Sequence, residues 1–258
     1  MIFADTHCHL DFAIFDSDRE DLIERCESAG VGLFIVPGVG RENWGRVIRL
    51  SARYEGVHPC IGLHPCFLEG YQDKDLDELE GLLLKHKEIV AIGEIGLDLT
   101  VGGLERQLAL FEHQIDLANQ YELPVIMHSR KAHNLILEVI KRKPLVAGGV
   151  LHGFSGSFEQ AMMFWRAGVY LGMGGVITYE RAQKTRRAFA QLPLESVVLE
   201  TDSPDMPLSG KQGGRNTPLN IPLISAAFCS LRPESEEVIK QQILKNTLEL
   251  FSIEAPKA

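Results

Sequence analysis

The sequence predicts an α/β chain folded as a TIM (β/α)8 barrel, and three observations carry that expectation. Eight short β-rich runs, at 2–6, 33–37, 58–63, 89–95, 124–128, 148–152, 169–173 and 197–201, alternate with longer helical patterns. Such alternation specifies right-handed βαβ units, and eight near-equal units close a barrel more readily than they extend an open doubly wound sheet. The 258 residues contain no linker-like stretch, so 1–258 is expected to be a single domain with a sizeable core. Finally, the residues with ligand chemistry fall at the carboxyl ends of the strands, where a barrel has its mouth.

Taken in order, the opening run leads into Asp5-Thr6-His7-Cys8-His9. Side chains at i and i+2 of a strand leave the same face, so His7 and His9 can meet one metal ion while Cys8 faces away. A lone His-x-His more often marks a polar strand end, and the later strands are what give this one weight. The first helical pattern, 21–29, sets Leu22, Ile23, Cys26 and Ala29 on one stripe, with Gly30 as a stop. Comparable stripes run through 42–54, 75–87, 105–121, 131–142, 157–167, 181–191 and 219–230, and a last helix near 234–250 closes the chain. The fourth strand delivers Glu94, the fifth His128, the sixth His152 and the eighth Asp202, each at its carboxyl end.

Composition excludes several classes. With 45% hydrophobic and 24% charged residues the chain is an ordinary globular protein, and its longest apolar runs fall far short of a membrane span. The amino terminus has no basic segment followed by an apolar stretch and a cleavage site, so the expected location is the cytoplasm. Five cysteines (Cys8, Cys26, Cys60, Cys66, Cys229) without a C-x-x-C pair argue against a disulfide framework and a structural zinc site. A net charge of −9 disfavours a broad nucleic-acid-coating surface, so a phosphate substrate needs metal or a local basic patch.

A barrel mouth gathers His7, His9, Glu94, His128, His152 and Asp202 in one place. Imidazole and carboxylate without inward thiolate suit zinc, manganese or another borderline divalent ion, and magnesium less naturally. Six ligands exceed one tetrahedral site that keeps an open position, so two ions are expected. His7, His9 and Asp202 are assigned to one, His128 and His152 to the other, and Glu94 bridges them at a spacing of roughly 3.5–4 Å. Asp202 is also the candidate proton acceptor, being a ligand that faces the mouth. Glu200, two residues earlier on the same inward face, is expected to orient a ligand from one layer deeper.

The successive segments Asp5 to His9, Gly62-Leu63-His64-Pro65, Gly93 to Asp98, Pro124 to Arg130, His152 to Gly156 and Leu199 to Pro204 resemble the motifs of the TatD family of metal-dependent hydrolases and deoxyribonucleases. The resemblance runs through the whole chain in order. Within that family the chain is most similar to a bacterial branch of uncharacterised paralogues, through Ile177-Thr178-Tyr179, Lys184-Thr185-Arg186 and Asp205 to Leu208. The resemblance implies a TIM barrel with a divalent-metal centre, ligands at the six positions above, and hydrolysis of phosphodiesters in DNA.

Substrate contacts are expected from His64 and Arg130, which follow the third and fifth strands, Arg130 by its bidentate fork. A basic patch is expected from Arg181, Lys184, Arg186, Arg187, Lys211 and Arg215, on the usual phosphate side of such barrels. About half of these are expected to be solvated helix charges. The loop 203–218, rich in Gly and Pro, is expected to rim the substrate. The favoured activity is a deoxyribonuclease or phosphodiesterase acting on DNA or a small phosphoester, with no membrane and no obligate protein partner. The alternatives are an amidohydrolase for a small cyclic amide or ester and a catalytically silent metal-binding protein.

Overall fold

Runs as apolar as these cannot leave a face in water, and they form eight parallel strands covered on both sides. These are β1 (Phe3–Asp5), β2 (Val31–Pro37), β3 (Val57–Ile61), β4 (Ala91–Asp98), β5 (Val125–Arg130), β6 (Gly149–Leu151), β7 (Val169–Met173) and β8 (Val197–Leu199). The computed structural model describes residues 2–254. The strands make one sheet in sequence order. Helices α1 (Arg19–Ser28), α2 (Arg41–Arg53), α3 (Lys74–Lys85), α4 (Leu104–Gln120), α5 (His133–Arg142), α6 (Phe158–Arg166) and α7 (Gln183–Gln191) form the crossovers, and α8 (Ile221–Cys229) and α9 (Glu236–Phe251) follow β8.

The barrel closes through residues just beyond β1 and β8. Thr6 N donates to Leu199 O at 2.9 Å, Asp202 N to His7 O at 2.8 Å and His9 N to Ser203 O at 2.7 Å. The fold is therefore the TIM barrel that the alternation predicts. β1 ends earlier than expected, and β8 stops at Leu199 rather than at residue 201. The cause is Asp5, whose carboxylate takes the backbone N–H of Thr201 at 2.9 Å and of His7 at 3.3 Å in place of ladder bonds. β4 runs on to Asp98, past the expected end at residue 95, and every residue of it is buried.

The inward face of the barrel carries the site on an apolar floor. Ile35, Cys60, Ala91, Ile126, Val150 and Val198 come from six strands into one cluster, joined by Leu250 and Phe251 of α9. Two residues further along the same face from Ile126, Val150 and Val198 stand His128, His152 and Glu200. A separate, larger cluster fills the space between sheet and helices. Phe34, Phe111, Phe164, Phe189 and Phe228 are fully buried in it, each contributing on the order of 2–3 kcal/mol. Trp44 fastens α2 to the end of β3, its Nε1–H donating to Gly62 O at 2.8 Å. No helix among the described residues is long and apolar enough to cross a membrane.

Candidate metal centre

Glu94 is the pivot of the mouth, and its two oxygens face two different sets of side chains. Oε2 lies 3.2 Å from His7 Nε2 and 3.6 Å from His9 Nε2. Asp202 Oδ1 completes that set at 3.5 Å and 3.8 Å from the same two nitrogens, which are 3.3 Å from each other. Oε1 lies 2.9 Å from His152 Nε2, 3.1 Å from His128 Nδ1 and 3.1 Å from His64 Nε2. His128 Nδ1 and His152 Nε2 are 3.1 Å apart.

The separations around Oε2 and Asp202 Oδ1 fit a shared cation better than a hydrogen-bond network, whereas those of 2.9–3.1 Å around Oε1 fall in the hydrogen-bond range. Two ligands about 2.1 Å from one tetrahedral ion lie roughly 3.4 Å apart, whereas N–H···O bonds cluster near 2.9–3.0 Å. One imidazole proton cannot serve both Glu94 Oε2 and Asp202 Oδ1. His7, His9 and Asp202, His7, Glu94 and His152, and His64, Glu94 and His128 each bring ligand atoms within 4.8 Å of one another. The donors are imidazole and carboxylate only, since Cys8 turns its Sγ away toward Ile35 O at 3.8 Å.

His64 was expected at the substrate rim and lies against the cluster, but its tautomer separates it from the other histidines. Nδ1 accepts the backbone N–H of Cys66 at 3.0 Å. A neutral His64 then carries its proton on Nε2, facing Glu94 Oε1 as a donor rather than as a lone pair. Arg130 is exposed at the end of β5, with no carboxylate partner among the described residues. Asp202 sits in left-handed backbone with φ of 56°, held by the bond from its N–H to His7 O.

Carboxylates stand behind the cluster. Asp98 Oδ2 lies 3.4 Å from His128 Nε2, and its Oδ1 is fixed by Thr100 N at 2.7 Å and Thr100 Oγ1 at 2.6 Å. Glu200 Oε1 accepts from Gly153 N and lies 4.0 Å from His152 Nδ1. Gly172 leaves room for Glu200, because a Cβ there would meet Oε2 at 2.1 Å. Gly96, with φ of 137°, lets β4 approach β5 so closely that a Cβ would meet His128 O at 2.1 Å.

The electrostatics favour a cation. Burial works to raise the Glu94 carboxyl, but the imidazoles of His64, His152 and His7 outweigh it and hold it well below the usual range. Burial also works against charge on His152, yet Glu94, Asp202 and Glu200 push it up to about 10. Burial lowers His9 to about 4 and takes His7 well below its ordinary value, leaving both neutral and able to ligate. Desolvation raises Glu200 to about 8 and Asp5 to about 7.

The expected basic patch is smaller than its sequence suggests. Arg215 pairs with Asp18 and donates to Ile14 O, Lys211 donates to Asn220 Oδ1 at 2.6 Å, and Arg186 donates to Ile177 O. Their charges close loops. Arg181, which lies over the Tyr179 ring at 4.9 Å, Lys184 and Arg187 remain exposed. The loop 203–218 is fastened by Asn216, whose Nδ2 donates to Thr201 O and Asp205 O at 2.8 Å each. Asp5, Thr201 and Asp98 were not assigned roles from the sequence. Asp98 shares its strand face with Glu94, and Asp5 precedes His7 by two, which are the only signals that could have found them.

A family model described as TatD-related DNase matches residues 4–252. The chain belongs to the TatD family of metal-dependent hydrolases. A TatD-family protein of Escherichia coli K12 described as the uncharacterised metal-dependent hydrolase YjjV is 46% identical, over 97% of this chain and 98% of that one. The crystal structure of YjjV superposes with a TM-score of 0.94, covering 98% of each chain. A more distant TatD relative, the human deoxyribonuclease TATDN3, is 34% identical over 96% of this chain and 94% of its own.

Proposed function

We propose that the chain hydrolyses phosphodiesters of DNA or of a small phosphoester with two divalent ions. His7, His9 and Asp202 would hold one ion, His128 and His152 the other, and Glu94 both. The observation that carries this reading is the division of Glu94, with Oε2 toward one donor set and Oε1 toward the other. Zinc or manganese suits these donors, with magnesium a weaker match. When bound, such ions supply Lewis-acid chemistry, polarising a phosphoryl oxygen and acidifying water.

The remaining work falls to the side chains. Asp202 accepts the proton of the attacking water, and because it is already at the centre it needs no movement to do so. Asp98 holds His128 from behind at 3.4 Å, fixing which nitrogen faces inward, and Glu200, 4.0 Å behind His152 Nδ1, acts on that ring through its charge. His64 donates its Nε2–H to Glu94 Oε1 at 3.1 Å and so holds the shared carboxylate on the substrate side. Arg130 offers a planar two-pronged donor to a neighbouring phosphate, with Lys131 and Lys184, exposed and lacking a carboxylate partner among the described residues, on the same β5 to β7 side.

The deoxyribonuclease description of human TATDN3 supports this substrate class. The test is metal-reconstituted protein assayed on single-stranded DNA, on dinucleotides and on cyclic amides. Cleavage of the phosphodiesters with no turnover of the amides is expected. Amide turnover without phosphodiester cleavage would replace this reading with the amidohydrolase one.

A further inference from the structure

Beside the metal centre, the loops after β1, β2 and β3 enclose a cavity of about 410 Å³ whose chemistry differs from that of the mouth. That volume lies within the range of small-molecule sites. Phe12, Val39, Leu63, Phe67 and Tyr71 supply its apolar walls. Two of these rings rest directly on histidines of the cluster. Phe12 stacks on His9 with ring centroids 4.5 Å apart and planes 17° from parallel, and Phe67 meets the His64 ring at 5.4 Å. Phe67 is 52% exposed.

The charged residues around the cavity show what it will not take. Arg41 is engaged by Glu78 and by Asp75 at 3.6 Å, whereas Glu42 and Glu69 have no cationic partner among the described residues. Arg106 stands over the Tyr71 ring at 4.6 Å, outside the lining, and among the lining side chains the balance is acidic, which disfavours a phosphate. Arg130, Lys131 and Lys184 lie across the mouth, after β5 and near the start of α7. A ligand spanning this mouth is therefore anionic on the β5 to β7 side and flat, uncharged and amino-bearing on the β1 to β3 side.

Resting on the phosphodiester reading, we infer that the cavity is a nucleobase subsite, taking the base of a nucleotide adjoining the scissile phosphate. The base stacks on Phe67 against the wall that Phe12 completes, and its amino edge points to Glu42 and Glu69, carboxylates being natural acceptors for an exocyclic amine. Stacking on an aromatic side chain tolerates every base while the carboxylates favour those with an exocyclic amine over thymine, so the subsite recognises an unpaired nucleotide with only this coarse preference. A base held in a duplex cannot enter.

The test uses the metal-loaded full chain and cytidine dinucleotides in which one nucleoside, on either side of the phosphate, is replaced by an abasic sugar. Phe67 is the position to vary, because Phe12 supports a candidate ligand. For the wild type, removing the base on one side is expected to lower kcat/KM about tenfold or more. That ratio should fall toward one in Phe67→Ala and Phe67→Leu and be kept in Phe67→Tyr, with metal content and melting temperature recorded for each. An abasic penalty that is missing from the wild type, or that survives in both Phe67→Ala and Phe67→Leu, overturns the subsite and leaves phosphodiester hydrolysis standing. No cleavage of any phosphodiester by the loaded protein overturns both.

Discussion

His64 and His152 present nitrogens to the same Glu94 oxygen at 3.1 Å and 2.9 Å, and their second nitrogens assign them different work. His64 Nδ1 accepts from Cys66 N, so its inward nitrogen bears a proton. His152, with Glu200 4.0 Å behind its Nδ1, offers a lone pair once an ion displaces the proton that the carboxylates hold on it. Elemental analysis should therefore find His152→Ala short of one ion, while His64→Asn keeps both and loses about 10- to 100-fold in kcat/KM, the worth of one hydrogen bond to a charged group. Loss of an ion from His64→Asn would make His64 a ligand. Asp202 and Glu200 separate in the same way. Asp202→Asn keeps an oxygen ligand but cannot take a proton, and kcat should fall by roughly 10² to 10⁴. Glu200→Gln should cost about 10- to 100-fold. A dead Glu200→Gln beside a nearly active Asp202→Asn in saturating metal would move the base to Glu200.

At the scale of elements, half of the centre is built on the closing seam of the barrel. Asp5 holds that seam, its Oδ2 accepting from Thr201 Oγ1 at 2.6 Å while Oδ1 takes the backbone of Thr201 and His7. Thr201 Oγ1 in turn accepts from Ser203 N at 3.2 Å. Thr201→Val keeps the shape and removes the two Oγ1 bonds, so unfolding of the metal-free protein should show a loss of about 1–3 kcal/mol. Metal titration should show weaker binding at the His7, His9 and Asp202 set, by about 10- to 100-fold. Lower stability with unaltered affinity would mean that the seam does not position the ligands. Strand and helix alternation was legible because each unit writes its own period into a few consecutive residues. The seam was not, because Asp5 and Thr201 are 196 residues apart and only their pairing across the closing strands reveals it. Charge was misread for the same reason: Arg215 looks like a phosphate contact until Asp18, 197 residues earlier, is seen to hold it.

For the whole molecule, the acidic balance of −9 and the few unpaired cations near the mouth limit long-range attraction to nucleic acid. If Arg130, Lys131 and Lys184 are the contacts, each releases about 0.7 of a counterion from single-stranded DNA, so log KM should rise with log salt at a slope of roughly 2. A much steeper dependence would require cations outside this cluster.

Metal removal tests the molecule most broadly, because the site joins β1, β4, β5, β6 and β8 ends and an ion there ties them together. An ion at 100 times its dissociation constant adds about 2.7 kcal/mol, and for a chain of this size that corresponds to roughly 5–10 °C in Tm. The gain should depend on pH. Burial raises Asp202 to about 7, against an ordinary value of 3.8, with the Glu94 charge adding to it. A carboxyl raised on folding stabilises the fold while protonated, and that contribution is lost as pH climbs from about 4 to about 7. An ion must displace this proton and the one His152 holds, so it competes poorly at low pH and gains as each group is freed. Scanning calorimetry of stripped and reconstituted protein should therefore show a Tm gain that is small near pH 5 and clearly larger at pH 8. A gain independent of pH across that interval would place the ion away from Asp202, and no gain at any pH would mean that the cluster does not hold one.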